Sequence, residues 1–300
     1  MFRLAHLSDP HLAPMPRPRL RDFNLKRLFG FINWHRNRRQ LHLSAVLERI
    51  VADLKAHKPD HTAVTGDLVN ISLAAEFGPA RLWLEQLGTA QDVTLVPGNH
   101  DIYLRSTAGH ANRHWGEYMR GVEEGAVLNE AAFPFVRRRD GVALIGISTA
   151  LPVRIGRATG YVGAEQLTRL AKTLAELKQE GLFRTILMHH PPASPPERRH
   201  ERLKDGAAFL RVLQQHGAEL VLHGHEHVVT VQWFDAPGRP VPCIGVPSAS
   251  ATPAGKKHPA AWNLYEIDAT PGHFRCAMIS RGLTKVGGEV VELTRRDLLD

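Results

Sequence analysis

Five short apolar runs in this chain each end abruptly in a polar cluster of histidine, aspartate or asparagine, with glycine or proline alongside. The runs at 2–7 and 61–65 lead into Ser8-Asp9-Pro10-His11 and Gly66-Asp67. That at 93–96 leads through Pro97 into Gly98-Asn99-His100-Asp101. Those at 185–188 and 220–222 lead into His189-His190-Pro191-Pro192 and His223-Gly224-His225-Glu226-His227. Runs this short and apolar read as strands buried on both faces, as in a parallel sheet. Parallel strands need crossovers, and helical spacing fills the gaps: Val46, Leu47, Ile50, Val51 and Leu54 within 43–57, then 73–87, 165–177 and 207–215. An α/β fold is expected, with the polar clusters at the carboxyl ends of strands, where ligands bind in open α/β sheets.

After position 227 the rhythm changes. Apolar stretches at 228–234 and 241–246 flank the turn Pro237-Gly238, and those at 263–267 and 274–279 flank Pro271-Gly272. These hairpin signals predict a second, more antiparallel sheet, with its β-rich part at about 228–300. No linker or repeat interrupts the chain, so one domain spanning 1–300 and built of two sheets is expected.

One segment stands apart, a basic amphipathic insertion at about 14–42. Pro14, Pro16 and Pro18 exclude regular structure at its start. From 23 to 39, helical spacing places Leu25, Leu28, Phe29, Ile32 and Trp34 on one face, with Lys26, Arg27, Arg36, Arg38 and Arg39 around them. Such a helix simply packs on the body, or more specifically caps the strand-end clusters or lies on an anionic membrane surface.

The formal charge of +8 and pI near 9.8 favour anionic partners without choosing among them. Eighteen histidines stand against two cysteines, and Cys243 and Cys276 lack metal or redox spacing. Burial as small hydrophobes in a reducing compartment is expected for both. No apolar run approaches the roughly 18 residues needed to span a bilayer. Met1-Phe2-Arg3-Leu4 runs directly into the first strand, leaving no room for a cleaved signal. The expected location is cytoplasmic, peripheral to the inner face of the membrane if the insertion touches lipid.

Taken alone, Gly98-Asn99 is turn chemistry and a His-x-His arises by chance. The joint occurrence of five such clusters, each after an apolar run, is what carries weight. Imidazole, carboxylate and amide oxygen together suit Mn, Fe or Zn better than Ca or Mg. Two ions about 3.5–4 Å apart need a shared ligand, and a carboxylate has two oxygens to share. Such a pair lowers the pKa of bound water from 15.7 towards about 7 and neutralises phosphoryl oxygens. The stretch Ser250 to Lys257 does not make a phosphate loop, because Ser250 replaces the first glycine and Lys257 the Ser/Thr. No Gly-x-Ser-x-Gly elbow or activated-cysteine context is present.

The motif set from Asp9 to His227 resembles the calcineurin-like metallophosphoesterase superfamily, in that family's order. The Gly-Asn-His-Asp and His-His-Pro-Pro forms, with Gly160-Tyr161-Val162-Gly163-Ala164-Glu165-Gln166-Leu167, are most similar to its bacterial cyclic-nucleotide phosphodiesterase and glycerophosphodiesterase branch. The resemblance implies a four-layer αββα sandwich of two mixed β-sheets flanked by helices. It implies two divalent or trivalent transition-metal ions, the first on Asp9, His11 and His227, the second on Asn99, His189 and His225, with Asp67 bridging. A metal-bridging hydroxide would attack a small phosphodiester in line. His100 would stabilise phosphoryl charge or protonate the leaving alkoxide, and Asp101 would orient His100 or a ligand. Only the first histidine of the pair binds metal in this pattern, which makes His190 a contact to a metal-binding residue or to substrate.

Outside the pattern, His223 reads as a satisfied strand-end residue, and His6, His35, His42, His57 and His61 as structural or solvated. Against this reading stand a pyrophosphatase of a nucleotide-linked lipid precursor, suggested by the insertion, and a nuclease. The nuclease is the weaker, since no groove of stacking aromatics is evident and no specific nucleic-acid partner is expected.

Overall fold

Three parallel strands form one half of the first sheet: β1 (Phe2–Leu7), β2 (His61–Val64) and β3 (Val93–Leu95). The structure, a computed structural model, describes residues 1–123, 126–127, 133–254 and 258–300. Part of the Ser250 to Lys257 stretch, 255–257, therefore lies outside the described residues. Between β1 and β2 come α1 (Leu25–Asn33), a π-helical turn (Trp34–Arg38), the single turn α2 (Arg39–Leu41) and α3 (Ser44–Ala56). α4 (Ala74–Leu87) connects β2 to β3. After β3, α5 (Ala108–Trp115) buries Trp115, whose indole N–H donates to the Phe77 carbonyl of α4 at 3.2 Å.

The second sheet is laid down by β4 (Val122–Glu123), β5 (Ala126–Val127), β6 (Phe135–Arg139), β7 (Val142–Gly146), β8 (Phe183–Leu187), β9 (Leu220–His223), β10 (Thr230–Phe234) and β11 (Val241–Gly245). α6 (Ala164–Gln179) joins β7 to β8, and α7 (Gly206–His216) joins β8 to β9. The chain then returns to the first sheet with β12 (Ala261–Asp268), β13 (Arg275–Leu283) and β14 (Val290–Leu299). Among the described residues the strand orders are β14-β13-β12-β1-β2-β3 and β10-β11-β9-β8-β7-β6-β4-β5.

The C-terminal β-rich part is therefore divided, against the expectation that it would all join one sheet. The β10–β11 hairpin extends the second sheet through β9, whereas β12 pairs antiparallel with β1 in the first. Both sheets are mixed. The first is parallel from β1 out to its β3 edge and antiparallel from β1 to β14. The second is parallel across β11, β9, β8 and β7 and ends in an antiparallel pair at each edge.

The apolar runs do what two-faced strands must. In β7, Val142 and Leu144 face one core while Ala143 and Ile145 face another; Leu220 and Leu222 of β9 split from Val221 in the same way. One core lies between the sheets and continues around the first to α3 and α4, taking in Leu4, Ile50, Phe77 and Trp262. The other packs Leu170 and Leu174 of α6 and Phe209 and Leu213 of α7 on the outer face of the second sheet. Each such fully buried aliphatic or aromatic side chain contributes about 1.5–3 kcal/mol. The result is an αββα sandwich. Its parallel strands β1, β2, β3, β8 and β9 deliver the five polar clusters to one edge.

Candidate metal centre

Left-handed backbone recurs in the clusters, although Lys58, Ser72 and Asp140 share it elsewhere. Asp9, His11, Asp67, His225 and His227 are non-glycine residues with left-handed φ, between 38° and 68°. Each costs of order 1–3 kcal/mol and persists only where surrounding contacts enforce it, most often at functional sites. Glycine makes the close approaches possible. A Cβ on Gly66 would lie 2.9 Å from His189 Nδ1, and one on Gly98 would overlap the Asp67 carboxylate.

The side chains converge in two groups that share one carboxylate. In the first, His11 Nδ1 lies 3.2 Å from the Val69 carbonyl oxygen, so that nitrogen carries the proton and donates. Its Nε2 then turns a lone pair towards His227 Nε2 at 3.3 Å, Asp67 Oδ2 at 3.9 Å and Asp9 Oδ1 at 4.0 Å. His227 Nε2 is itself 3.0 Å from Asp9 Oδ1. In the second, His189 Nδ1–H donates to the Thr65 carbonyl oxygen at 2.6 Å. Its Nε2 faces Asp67 Oδ2 at 3.4 Å and Asn99 Oδ1 at 3.2 Å. Carbonyl partners on Nδ1 are the usual way of fixing a ligating imidazole.

Nitrogen lone pairs and carboxylate oxygens repel unless a proton or a cation lies among them. The protonation pattern expresses that need. Burial opposes charge on His189, but the Asp67 carboxylate outweighs it and raises the pKa to about 9. Burial alone would raise the Asp9 carboxyl, yet His227 holds it far below the usual range. A centre made entirely of buried donors around shared carboxylates fits divalent ions.

Other expected residues sit differently. The backbone N–H of His225 donates to Asp9 Oδ2 at 2.9 Å, while its Nε2 bonds the Glu201 carbonyl oxygen at 2.9 Å, outside both groups. Its ring is 5.1 Å from that of His189, so of the expected ligands it is the one whose Nε2 is turned elsewhere. His190 lies beside the His189 and His225 rings with both of its own nitrogens engaged. Its Nε2–H donates to the Ala158 carbonyl oxygen at 3.0 Å and its Nδ1 accepts from the Thr149 hydroxyl at 2.8 Å, leaving neither nitrogen for a ligand.

Asp101 does not orient His100 through its side chain. The buried carboxylate accepts backbone N–H bonds from Asp67 at 2.8 Å, Leu68 at 2.9 Å, Val69 at 3.2 Å and Gly98 at 2.9 Å. It ties the loop carrying Asp67 to the loop carrying Asn99. His100 adds a further tie, its backbone N–H donating to Asp67 Oδ1 at 2.7 Å. His223 is satisfied at its strand end by the Gly224 carbonyl and the Thr230 hydroxyl. Cys243 and Cys276 are buried free thiols.

Two residues of the insertion reach the centre without any motif to announce them. Arg38 Nη1 lies 2.8 Å from His100 Nε2, while His100 Nδ1 pairs with the Asn70 carbonyl oxygen. Burial lowers the Arg38 pKa, and Asp67, Tyr103 and Asp9 act against that, which places the guanidinium in the field of both carboxylates. His42, expected to be structural or solvated, stands 4.7 Å ring to ring from His11 and 5.5 Å from His227. Its Nδ1 lies 2.8 Å from the Ser250 hydroxyl, and the three buried histidines each offer a nitrogen within 4.8 Å of the others. Neither could be found from sequence, because each is a lone residue in a basic segment.

Comparison with known proteins agrees with this architecture. The profile of the family described as calcineurin-like phosphoesterase matches residues 2–229. A protein of a Synechococcus strain named as a probable cyclic nucleotide phosphodiesterase is 28% identical over 73% of this chain and 76% of its own. A cAMP/cGMP dual specificity phosphodiesterase of Mycobacterium tuberculosis is 28% identical over 84% of this chain and 67% of its own. Among solved structures, a dimetal phosphatase of Danio rerio superposes with a TM-score of 0.58 at 15% identity, covering 98% of both chains. A purple acid phosphatase from yellow lupin gives a TM-score of 0.62 at 13% identity, over 97% of this chain and 52% of its own.

Proposed function

Since the chain belongs to the calcineurin-like phosphoesterase family, and is thus a metal-dependent hydrolase of phosphate esters, we propose that it cleaves small anionic phosphodiesters of cyclic-nucleotide or glycerophosphodiester type. The observation that carries the reading is the position of Asp67. One carboxylate oxygen lies between His11 Nε2 at 3.9 Å and His189 Nε2 at 3.4 Å, where a group shared by two ions belongs. The names of the Synechococcus and mycobacterial relatives support a phosphodiester substrate over a lipid-linked pyrophosphate or a nucleic acid.

In this proposal Asp9, His11 and His227 would hold one ion and Asn99 and His189 the other, and Asp67 would serve both. His225, its Nε2 engaged by the Glu201 carbonyl, offers only Nδ1 to the second ion. Manganese, iron or zinc suits this mixed nitrogen and oxygen set. Such ions, when bound, acidify water and neutralise charge on a phosphoryl group. The protein's own groups do the rest. Arg38 brings a fixed guanidinium to the phosphoryl oxygens and is the anion-binding group of the cap. His100 holds Arg38 through Nε2 and is itself held by the Asn70 carbonyl, so the pair forms one pre-set arm above the donor groups. Desolvation by burial and then the Arg38 charge lower the His100 pKa to about 4, so it waits as a neutral imidazole. Once substrate displaces Arg38, the Nε2 lone pair is free to take a proton from solvent and hand it to the leaving alkoxide, which returns the imidazole to its neutral form. The expected setting is the cytoplasm, with residues 1–300 acting as one domain.

A substrate panel on metal-defined protein tests the proposal. Hydrolysis of cyclic nucleotides, glycerophosphodiesters or bis(p-nitrophenyl) phosphate supports it. Turnover of none of them, by protein carrying its metals, refutes it.

A further inference from the structure

Helix α1 is turned inside out. Its apolar stripe of Leu25, Leu28, Phe29 and Ile32 faces solvent, exposed by 69%, 42%, 57% and 37%. Its polar face is the one packed on the body. The Lys26 ammonium donates to the Tyr103 carbonyl at 2.7 Å and the Val153 carbonyl at 2.8 Å, and buried Arg27 donates to the carbonyls of Asp22, Ile71 and Ser72. Trp34 is buried against Phe31, Ile71 and Leu73. Gly30 allows the approach, since a Cβ there would lie 2.6 Å from the Tyr103 hydroxyl. The orientation is therefore fixed by specific contacts, and Asn24 caps the helix by accepting from the Arg27 N–H at 2.9 Å.

The charge around the stripe is one-sided. Residues 14–42 hold eight Lys or Arg and a single acid, Asp22, so this segment accounts for most of the chain's formal +8. Arg17, Arg19 and Arg21 before the helix, and Arg36 and Arg39 at its end, are exposed. Leu, Phe and Ile on one stripe with arginines around it is the composition of a helix lying in a membrane interface. The helix is neither long nor apolar enough to cross a membrane.

We propose that α1 and its flanking arginines dock this protein on an anionic lipid surface. The stripe enters the headgroup boundary and the exposed arginines pair with lipid phosphates, while the π-helical turn after α1 keeps Arg38 on His100. The inference stands on the outer face alone and does not depend on which diester is cleaved.

Co-sedimentation with vesicles tests it. The full chain is expected to pellet with vesicles containing phosphatidylglycerol and to remain largely in the supernatant with pure phosphatidylcholine, with binding that falls as salt rises. Leu25→Asp/Phe29→Asp should lose about tenfold or more in vesicle affinity while hydrolysing bis(p-nitrophenyl) phosphate as the parent does. Arg36→Glu/Arg39→Glu should remove much of the salt dependence. The proposal is overturned if the parent stays in solution with anionic vesicles, or if Leu25→Asp/Phe29→Asp binds as tightly as the parent. It is equally overturned if light scattering shows a dimer that this double variant dissociates without any change in vesicle binding, since the stripe is then a contact between copies. Loss of hydrolysis in the parent itself would count against the phosphodiesterase reading and leave the docking result intact.

Discussion

Replacing Asp101 by Asn separates a positioning carboxylate from a catalytic one. Each Asp101 oxygen accepts two backbone N–H groups: Oδ1 those of Leu68 and Val69, Oδ2 those of Asp67 and Gly98. An asparagine keeps one oxygen and turns an NH2 towards the other pair. Burial and then the Asp67 charge lift the Asp101 pKa to about 7, so near neutral pH the two lost bonds are only partly charge-assisted, at about 1–3 kcal/mol each. Unfolding of the metal-free protein should therefore be easier by about 2–6 kcal/mol. Because those donors include the N–H of Asp67 itself, the shared carboxylate should shift and metal affinity should fall together with stability. Urea unfolding and metal titration on the same preparations measure both. If Asp101→Asn keeps its stability to within about 1 kcal/mol and its metals but loses turnover, then Asp101 acts in the chemistry and the positioning argument is wrong.

Arg38→Ala should retain its metals and lose turnover by about 10²-fold, with Arg38→Lys recovering only part, as expected for a fork-shaped donor aimed at phosphoryl oxygens; steady-state kinetics alongside metal content check this. His42→Ala should weaken metal binding by about tenfold or more at the site built on His11 and His227, read by competition with a chromogenic chelator, while the other site is unchanged. His61, far from the centre, is buried against the Thr94 hydroxyl at 2.7 Å, and burial, then Arg137 and Arg139, hold its pKa well below 6.5. The unfolded chain takes up that proton near pH 6.5 and the folded protein does not, so stability present above this pH is lost below it by up to about 1.4 kcal/mol per unit. Unfolding free energies measured from about pH 7 down to about pH 5 should fall faster for the parent than for His61→Gln.

What could be read from sequence follows from burial. The parallel strands are apolar on both faces, so their runs are continuous and their ends are marked where the polar clusters begin. β6 escaped because Arg137, Arg138 and Arg139 look like surface, yet Arg137 is fully buried, its guanidinium donating to the carbonyls of Ala90, Val93, Glu117 and Arg120. β14 escaped because, as an exposed edge strand, it shows polar residues on both faces. In the insertion, periodicity grouped Leu25, Leu28, Phe29 and Ile32 correctly but could not say which way they point. Unsatisfied carbonyls on the body decided it, drawing Lys26 and Arg27 inwards, and Trp34 went with them rather than with the stripe. The donor clusters were legible as motifs. Arg38 and His42 were not, since only the tertiary path of 14–42 over the strand ends brings them there.

Metal stoichiometry of the parent, Asp67→Ala and Asn99→Ala, measured on protein purified in defined metal, addresses the shared carboxylate directly. Sharing predicts that the parent binds two transition-metal ions per chain, that Asp67→Ala loses affinity at both sites, and that Asn99→Ala loses it at only one. A parent that binds a single ion, or an Asp67→Ala that keeps both as tightly as the parent, would contradict it.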